Sequence, residues 1–269
     1  MDFALNEIQQ ELKTQARAWL AERYPLDRDW DGPQDDRWSE LGELGWLDVA
    51  DADLGFVEEA LILEEMGYAM YPGPYLAHVG GGGRIELNGF VWGGDDESGE
   101  LVQSVDPSRP LRRSSSTNGT RETPRLRAAM AAECVGIAQR VLELGIEHAS
   151  TREQFGKPIG VYQAVSHQLS DTYTDVELAR SLAYWAAWCV AEDDDQAPVA
   201  AAAAKAFAAE AAVLACERSI QVHGGTGFTW EHPLHRFYKR ALWLEGFGSR
   251  PSELRLEVAD AVLGVSVPA

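Results

Sequence analysis

Basic residues are scarce in this chain. Its 269 residues hold 23 Lys and Arg against 43 Asp and Glu, a formal net charge of -20. Such a field opposes the phosphate backbone of nucleic acids and an anionic membrane surface, so neither is expected as a partner. It also opposes any polyanionic ligand unless local arginines override it. Cysteine is rare as well. Cys134, Cys189 and Cys216 are scattered through apolar helical patterns with no metal-ligand spacing. They read as small buried hydrophobes in a reducing compartment, and no metal site is expected. No stretch reads as long and apolar enough to span a bilayer. The opening Met1-Asp-Phe-Ala-Leu5 lacks the basic and apolar regions of a signal peptide. The expected location is the cytoplasm. What is present is apolar bulk: 45% hydrophobic residues allow a sizeable core, in one large domain or two small ones.

Helical periodicity dominates. Residues 1–24 carry Leu5, Ile8, Leu12, Ala16, Trp19 and Leu20 at helical spacing, with Asn6 and Gln9 placed for a capping box. A polar connection spans Asp27 to Asp36. A short helix follows through Trp38, Leu41, Leu44 and Leu47, and another from Gly55 to Met70. Pro72, Gly73 and Pro74 then break the pattern. The run Gly80 to Gly83 reads as a turn, because no Lys-Ser/Thr follows and no convincing strand precedes it. Leu87 to Trp92 and Leu101 to Val105 are candidate strands, and Arg112 to Thr120 a Ser/Thr/Gly loop. From Pro124 the pattern is helical to Ser150, then from near Pro158 to about Val190. A third long helix contains the alanine-rich run Ala200 to Ala215 and ends before Gly224-Gly225. The expected fold is all-α: an N-terminal helical domain (1–75), a vestigial β insert (76–123) and a C-terminal four-helix-type bundle (124–269).

Two motifs bear on chemistry. Thr151 to Ile159 lies in the bend between two long helices. Arg152 is a fixed cation whose fork of donors suits phosphate oxygens. Gln154 donates and accepts, Phe155 offers an aromatic face, and Gly156 permits backbone that a side chain forbids. The same residues also fit an ordinary exposed arginine and a core phenylalanine. The second motif is Gln221-Val-His-Gly-Gly-Thr-Gly-Phe-Thr229, whose adjacent glycines permit a turn and close approach of a ligand. Alone it reads equally as a glycine helix cap, and His223 as a structural histidine.

With Gln163, the first motif reads Arg-x-x-Phe-Gly-x-x-Ile-x-x-x-Gln. It resembles the flavin-binding hairpin of the acyl-CoA dehydrogenase family. The second resembles that family's Gln-x-x-Gly-Gly-x-Gly signature. Leu-Gly-Glu-Leu-Gly-Trp-Leu and Leu-Glu-Glu-Met-Gly resemble its N-terminal helical domain. The resemblance implies FAD bound mainly by a neighbouring subunit. Arg152 would meet the pyrophosphate and Gln154 and Phe155 the adenine side, with Gln163, Gln221, Gly224 and Gly225 completing the wall. His223 would be a further contact.

The family reaction removes a proton α to a thioester carbonyl while hydride leaves the β-carbon, so it requires a carboxylate base. One family position falls on Gly248, or on Phe247 after a one-residue shift. The other falls on Leu126. None of these accepts a proton. Glu133 faces elsewhere along its helix, and Glu245 lies three residues from the gap-free position. Together with the shortened middle β-domain, this implies one subunit of an α2β2 heterotetramer. A paralogous partner would supply the flavin-ring pocket and the catalytic Glu, acting on a bulky, sterol side-chain-like acyl-CoA. The alternatives are a self-sufficient homo-oligomer using Glu245, and a non-enzymatic scaffold.

Overall fold

In the computed structural model, which describes residues 4–31, 35–49, 54–94, 99–114 and 122–264, α1 spans Glu7–Arg23. Its start follows the sequence. The Asn6 side chain accepts from the Gln9 backbone N–H (2.9 Å), and the Gln9 side chain accepts from that of Asn6 (3.1 Å). Next come α2 (Trp38–Glu43) and α3 (Phe56–Ala69), the latter entered at Gly55 and closed by Met70 in the left-handed region.

The middle of the chain departs from expectation. Tyr75–Gly81 forms a further helix, α4, so the glycine run is a helix end rather than a free-standing turn: Gly80 and Gly81 are helical and Gly82 is the left-handed cap. Leu87 to Trp92 is not one strand. Asn88-Gly89 turns the chain, both at positive φ, and pairs β1 (Arg84–Leu87) with β2 (Phe90–Gly93). Asn-Gly is a strong hairpin signal, and here it divides one apolar run into two strands. The run at 101–105 keeps only β3 (Leu101–Val102). Arg112 and Arg113 belong to β4 (Leu111–Arg113), where the sequence reads as a loop; Ser114 follows the strand, and residues 115–120 of that loop lie outside the described residues. The four strands form an antiparallel sheet in the order β1-β2-β4-β3.

The C-terminal half is a bundle. Thr123 Oγ1 caps α5 (Pro124–Thr151) by accepting from Leu126 N at 3.1 Å, and Pro124 occupies the first turn. The chain returns through α6 (Gln163–Ala191) and α7 (Ala197–His223), which pack on α5 and on each other. The second long helix therefore starts at Gln163, not near Pro158, because a hairpin and a 3₁₀ turn (Ile159–Val161) take up the intervening backbone. Two further helices, α8 (Leu234–Gly246) and α9 (Pro251–Leu263), lie against α7. One apolar core runs from Ala16 through the α5 and α7 faces to Phe247. Close helix approach requires glycine at the α3–α5 crossing. A Cβ on Gly136 would overlap the Glu64 carbonyl, and one on Gly67 the Glu133 carbonyl.

One expectation fails on composition. The segment Ala197–Phe228 is long and apolar enough to cross a membrane, yet 67% of its most apolar window is buried inside the fold. Alanine counts as apolar but suits close helix packing equally well, and α7 is the central core helix.

Candidate functional site

The motif residues gather at one end of the bundle, where α5 ends, α6 begins and α7 ends. After Arg152 the chain forms a tight hairpin of β5 (Glu153–Gln154) and β6 (Lys157–Pro158), closed by Ile159 N–H donating to Arg152 O at 2.8 Å. Phe155 (φ 53°) and Gly156 (φ 74°) make the turn. Positive φ at both central residues matches the right-handed twist of short hairpins, and for a phenylalanine it is a strained conformation. Phe155 is 92% exposed, which excludes its reading as a core anchor. The Arg152 side chain is exposed and makes no hydrogen bond or ion pair among the described residues. Gln154 and Gln163 are exposed beside it.

The end of α7 faces the same region. Gln221, Gly224 and Gly225 are exposed, and neither glycine has a neighbour within 4 Å of where a Cβ would stand. Gly224 adopts φ 61°, ψ -134°, a conformation for glycine, and leaves open backbone at the helix end. His223 differs from its neighbours. It is buried, its Nδ1–H donates to Ser219 O at 2.8 Å, and its ring stacks on His148 of α5 (centroids 4.3 Å). On its other side lies His232, at 4.6 Å. This imidazole column joins the Arg152 end of α5 to the glycine end of α7.

The column predicts a pH response. Burial lowers the His148, His223 and His232 values first, and the mutual repulsion of protonated rings lowers those of His148 and His232 further, His232 to about 4. The unfolded chain takes up these protons near pH 6.5 and the folded chain only below it. Stability is thus greatest above about pH 6.5 and declines as pH falls toward the folded values. The urea midpoint should fall between pH 7 and 5, and His232→Gln should flatten that slope. An equal slope in both proteins would remove the column as its source.

The positions where the resemblance places a base carry no proton acceptor. Leu126 is buried and apolar, and Phe247 is buried in a stack on Trp243. Gly248 sits at φ 88°, where a Cβ would come within 2.5 Å of Glu122 Oε1. The space in front of Gly248 is therefore taken by a carboxylate from just before α5. Glu122 is buried and receives the Lys205 ammonium, the Arg127 Nε (3.0 Å) and the Ser249 backbone N–H (3.2 Å). Burial pushes its pKa up, but the charge and hydrogen bond of Lys205, the Ser249 hydrogen bond and the Arg127 charge outweigh this and hold it below the ordinary carboxylate value. An ionised, doubly paired carboxylate is a poor base. Beside this cluster a cavity of about 600 Å³ opens between the sheet and the α8–α9 connection, lined by apolar Phe90, Leu111 and Trp243 and by polar Gln103, Arg250 and Glu253 among others. Glu245 does not line it. Burial and the nearby Glu210 and Glu217 raise the Glu245 pKa. Glu133 is held in a buried cluster by Arg109 and Arg240.

Sequence reasoning missed Glu122, Lys205, Arg109 and Asp106. One signal was available: a lone lysine within an alanine-rich helical run, Lys205, implies a buried countercharge. Its partner, 83 residues away, carried no mark of its own.

Residues 121–258 match the family model described as acyl-CoA dehydrogenase, C-terminal domain. Acyl-CoA dehydrogenase IpdE2 of Mycobacterium tuberculosis is 38% identical over 152 residues, which cover 54% of this chain and 45% of that protein. The match to this and other curated relatives covers between 22% and 45% of their own lengths. Among solved structures, the ChsE4-ChsE5 complex from Mycobacterium tuberculosis aligns with a TM-score of 0.75 at 22% identity, covering 100% of both chains. A variant of the Tcur3481-Tcur3483 steroid ACAD aligns with a TM-score of 0.74 at 22% identity, covering 96% of this chain and 98% of that one. At such identities these likenesses establish the fold alone.

Proposed function

The chain belongs to the acyl-CoA dehydrogenase family, and from that premise we propose that it is one subunit of a two-chain, FAD-dependent acyl-CoA dehydrogenase. It supplies the adenine-side wall of the FAD site: Arg152 to the pyrophosphate, Gln154 and Phe155 to the adenine side, and Gln163, Gln221, Gly224 and Gly225 around them. The residues fit such a group. Arg152 is a cation without a counterion among the described residues, and nothing stands within 4 Å of where a Cβ would lie on Gly224 or Gly225. His223 acts on this wall from behind, by fixing the end of α7 through Ser219 and His148. When bound, FAD accepts the hydride lost from the β-carbon of the acyl thioester. The base that takes the α-proton, and the pocket for the flavin ring, belong to a paralogous partner in an α2β2 heterotetramer.

The observation that carries this reading is a division within the chain. The wall residues stand exposed at one end of the bundle, strained at Phe155, while both base positions lack a proton acceptor and the space before Gly248 is filled by an ion-paired Glu122. The similarity to the ChsE4-ChsE5 complex and to the Tcur3481-Tcur3483 steroid ACAD supports a heteromer and a bulky, sterol side-chain-like acyl-CoA. The three free, buried thiols fit a cytoplasmic protein.

The test is co-expression with a paralogous full-length partner. The complex should be yellow and turn over a bulky acyl-CoA, whereas the lone chain should hold FAD weakly or not at all. A lone chain that purifies with stoichiometric FAD and reduces it with an acyl-CoA overturns the heteromer.

The raised Glu245 carboxyl is the observation that favours a self-sufficient enzyme. Glu245→Gln decides between the two readings. The change keeps size and hydrogen bonding but removes the base. Loss of a positioned general base costs about 10²–10⁴-fold in rate. Because Glu245 faces Glu210 and Glu217 rather than the cavity, turnover of the assembled enzyme should change by less than about tenfold. Collapse of turnover with FAD still bound would place the chemistry in this chain.

A further inference from the structure

A cleft of about 380 Å³ lies between the connection after α1, the segment 106–108 and the start of α8. Its volume is within the range of small-molecule sites. Four cations line it, Arg28, Arg236, Lys239 and Arg240, against two carboxylates, Asp31 and Asp106. In a chain with a formal net charge of -20, this is a local reversal of sign.

Two of the cations are neutralised. Arg236 pairs with Asp31 at 2.7 Å, and Arg240 with Asp106 and Glu133. The other two form no ion pair among the described residues, although Asp31 also lies in the field of Lys239. Among the described residues Arg28 donates only to the carbonyls of Tyr24, Ala69 and Met70 (2.8–3.1 Å), and its buried Nε has no partner there. Its guanidinium lies 3.6 Å from the Trp30 ring centroid. The Lys239 ammonium makes no ion pair among the described residues and sits 4.5 Å from the centroid of Trp230, a residue that is 70% exposed and whose ring meets His235 in a T-shaped contact at 4.4 Å. Burial, and then the charges of Arg240 and Arg236, push the Arg28 pKa down to about 10, the direction a surplus of positive charge gives.

We propose that this cleft binds a small planar anion, a ring bearing a phosphate, with the ring stacked on Trp230 and the phosphate held by Lys239 in the field of Arg28. A purine nucleoside monophosphate and an aryl phosphate share this chemistry. A ring covers the exposed indole face, and the phosphate supplies the charge that Lys239 and Arg28 lack. The lining shares no residue with the FAD wall proposed above, and the site does not depend on that reading.

Calorimetric titration of the full chain with adenosine 5′-monophosphate, phenyl phosphate, adenosine and inorganic phosphate tests it. At least one of the two ring phosphates should bind about tenfold or more tightly than either adenosine or inorganic phosphate. The tighter of them identifies the ring class. Lys239→Gln should weaken that ligand about tenfold or more and Lys239→Arg much less, since one charge-assisted contact is lost only in the first. Trp230→Leu should weaken it about tenfold through lost stacking. Arg152→Ala should leave it unchanged, which separates this cleft from the FAD wall. The proposal is overturned if neither ring phosphate binds at millimolar concentration, if inorganic phosphate binds as tightly, or if Lys239→Gln and Trp230→Leu leave the affinity as it was.

Discussion

Glu122→Ala is expected to destabilise the purified chain by about 3–5 kcal/mol, the usual consequence of removing one member of a buried ion pair. Lys205 is 1% exposed. Without Glu122 its ammonium keeps only the Phe247 carbonyl, and the Ser249 backbone N–H loses its acceptor. Arg127 suffers less, because Glu257 remains at 2.6 Å. For a chain of this size the loss corresponds to a thermal midpoint lower by about 10 °C. The double variant Glu122→Leu with Lys205→Met should recover most of it, since an uncharged pair of similar volume leaves no orphaned charge. If the single and double variants unfold at the same temperature, the cluster is not a coupled pair. The pH dependence has a definite sign. The folded Glu122 pKa is depressed, so its contribution is full above about pH 4.5 and is lost as pH falls through the folded value. The same ion pairs tie the α8–α9 connection to α5 and α7, and therefore fix one wall of the cavity beside them.

Arg152→Ala should lower FAD affinity in the assembled two-chain enzyme by roughly ten- to a hundredfold, the equivalent of about 1.5–3 kcal/mol for a charge-assisted contact. The measurement is FAD retained after dialysis together with a dissociation constant for reloading. Stability should stay as it was, because the side chain is exposed and makes no hydrogen bond or ion pair among the described residues. That contrast separates a ligand contact from a folding defect. Unchanged FAD content and affinity would remove Arg152 from the site.

Much of the architecture was legible because local signals agreed. The Asn6–Gln9 capping box, the Gly55 entry, Pro124 in the first turn of α5 and the glycine end of α7 each mark a helix boundary with the backbone groups that terminate it. The sheet was less legible. Its strands are only 2–4 residues long, so periodicity had too few residues to act on, and Asn88-Gly89 was absorbed into a single apolar run.

By itself the sequence determined the long helices, the close helix crossings made possible by alanine and glycine, and the family to which the two motifs point. These follow from patterns a few residues apart, where the backbone and its immediate neighbours set the conformation. Only the tertiary structure decided what faces what. It exposed Phe155, placed His223 between two other imidazoles, filled the space before Gly248 with Glu122, and turned the most apolar segment into a core helix. Each of these depends on contacts between residues far apart in the chain. Burial and charge pairing, which set pKa values and the energy of an ion pair, arise only once those residues meet.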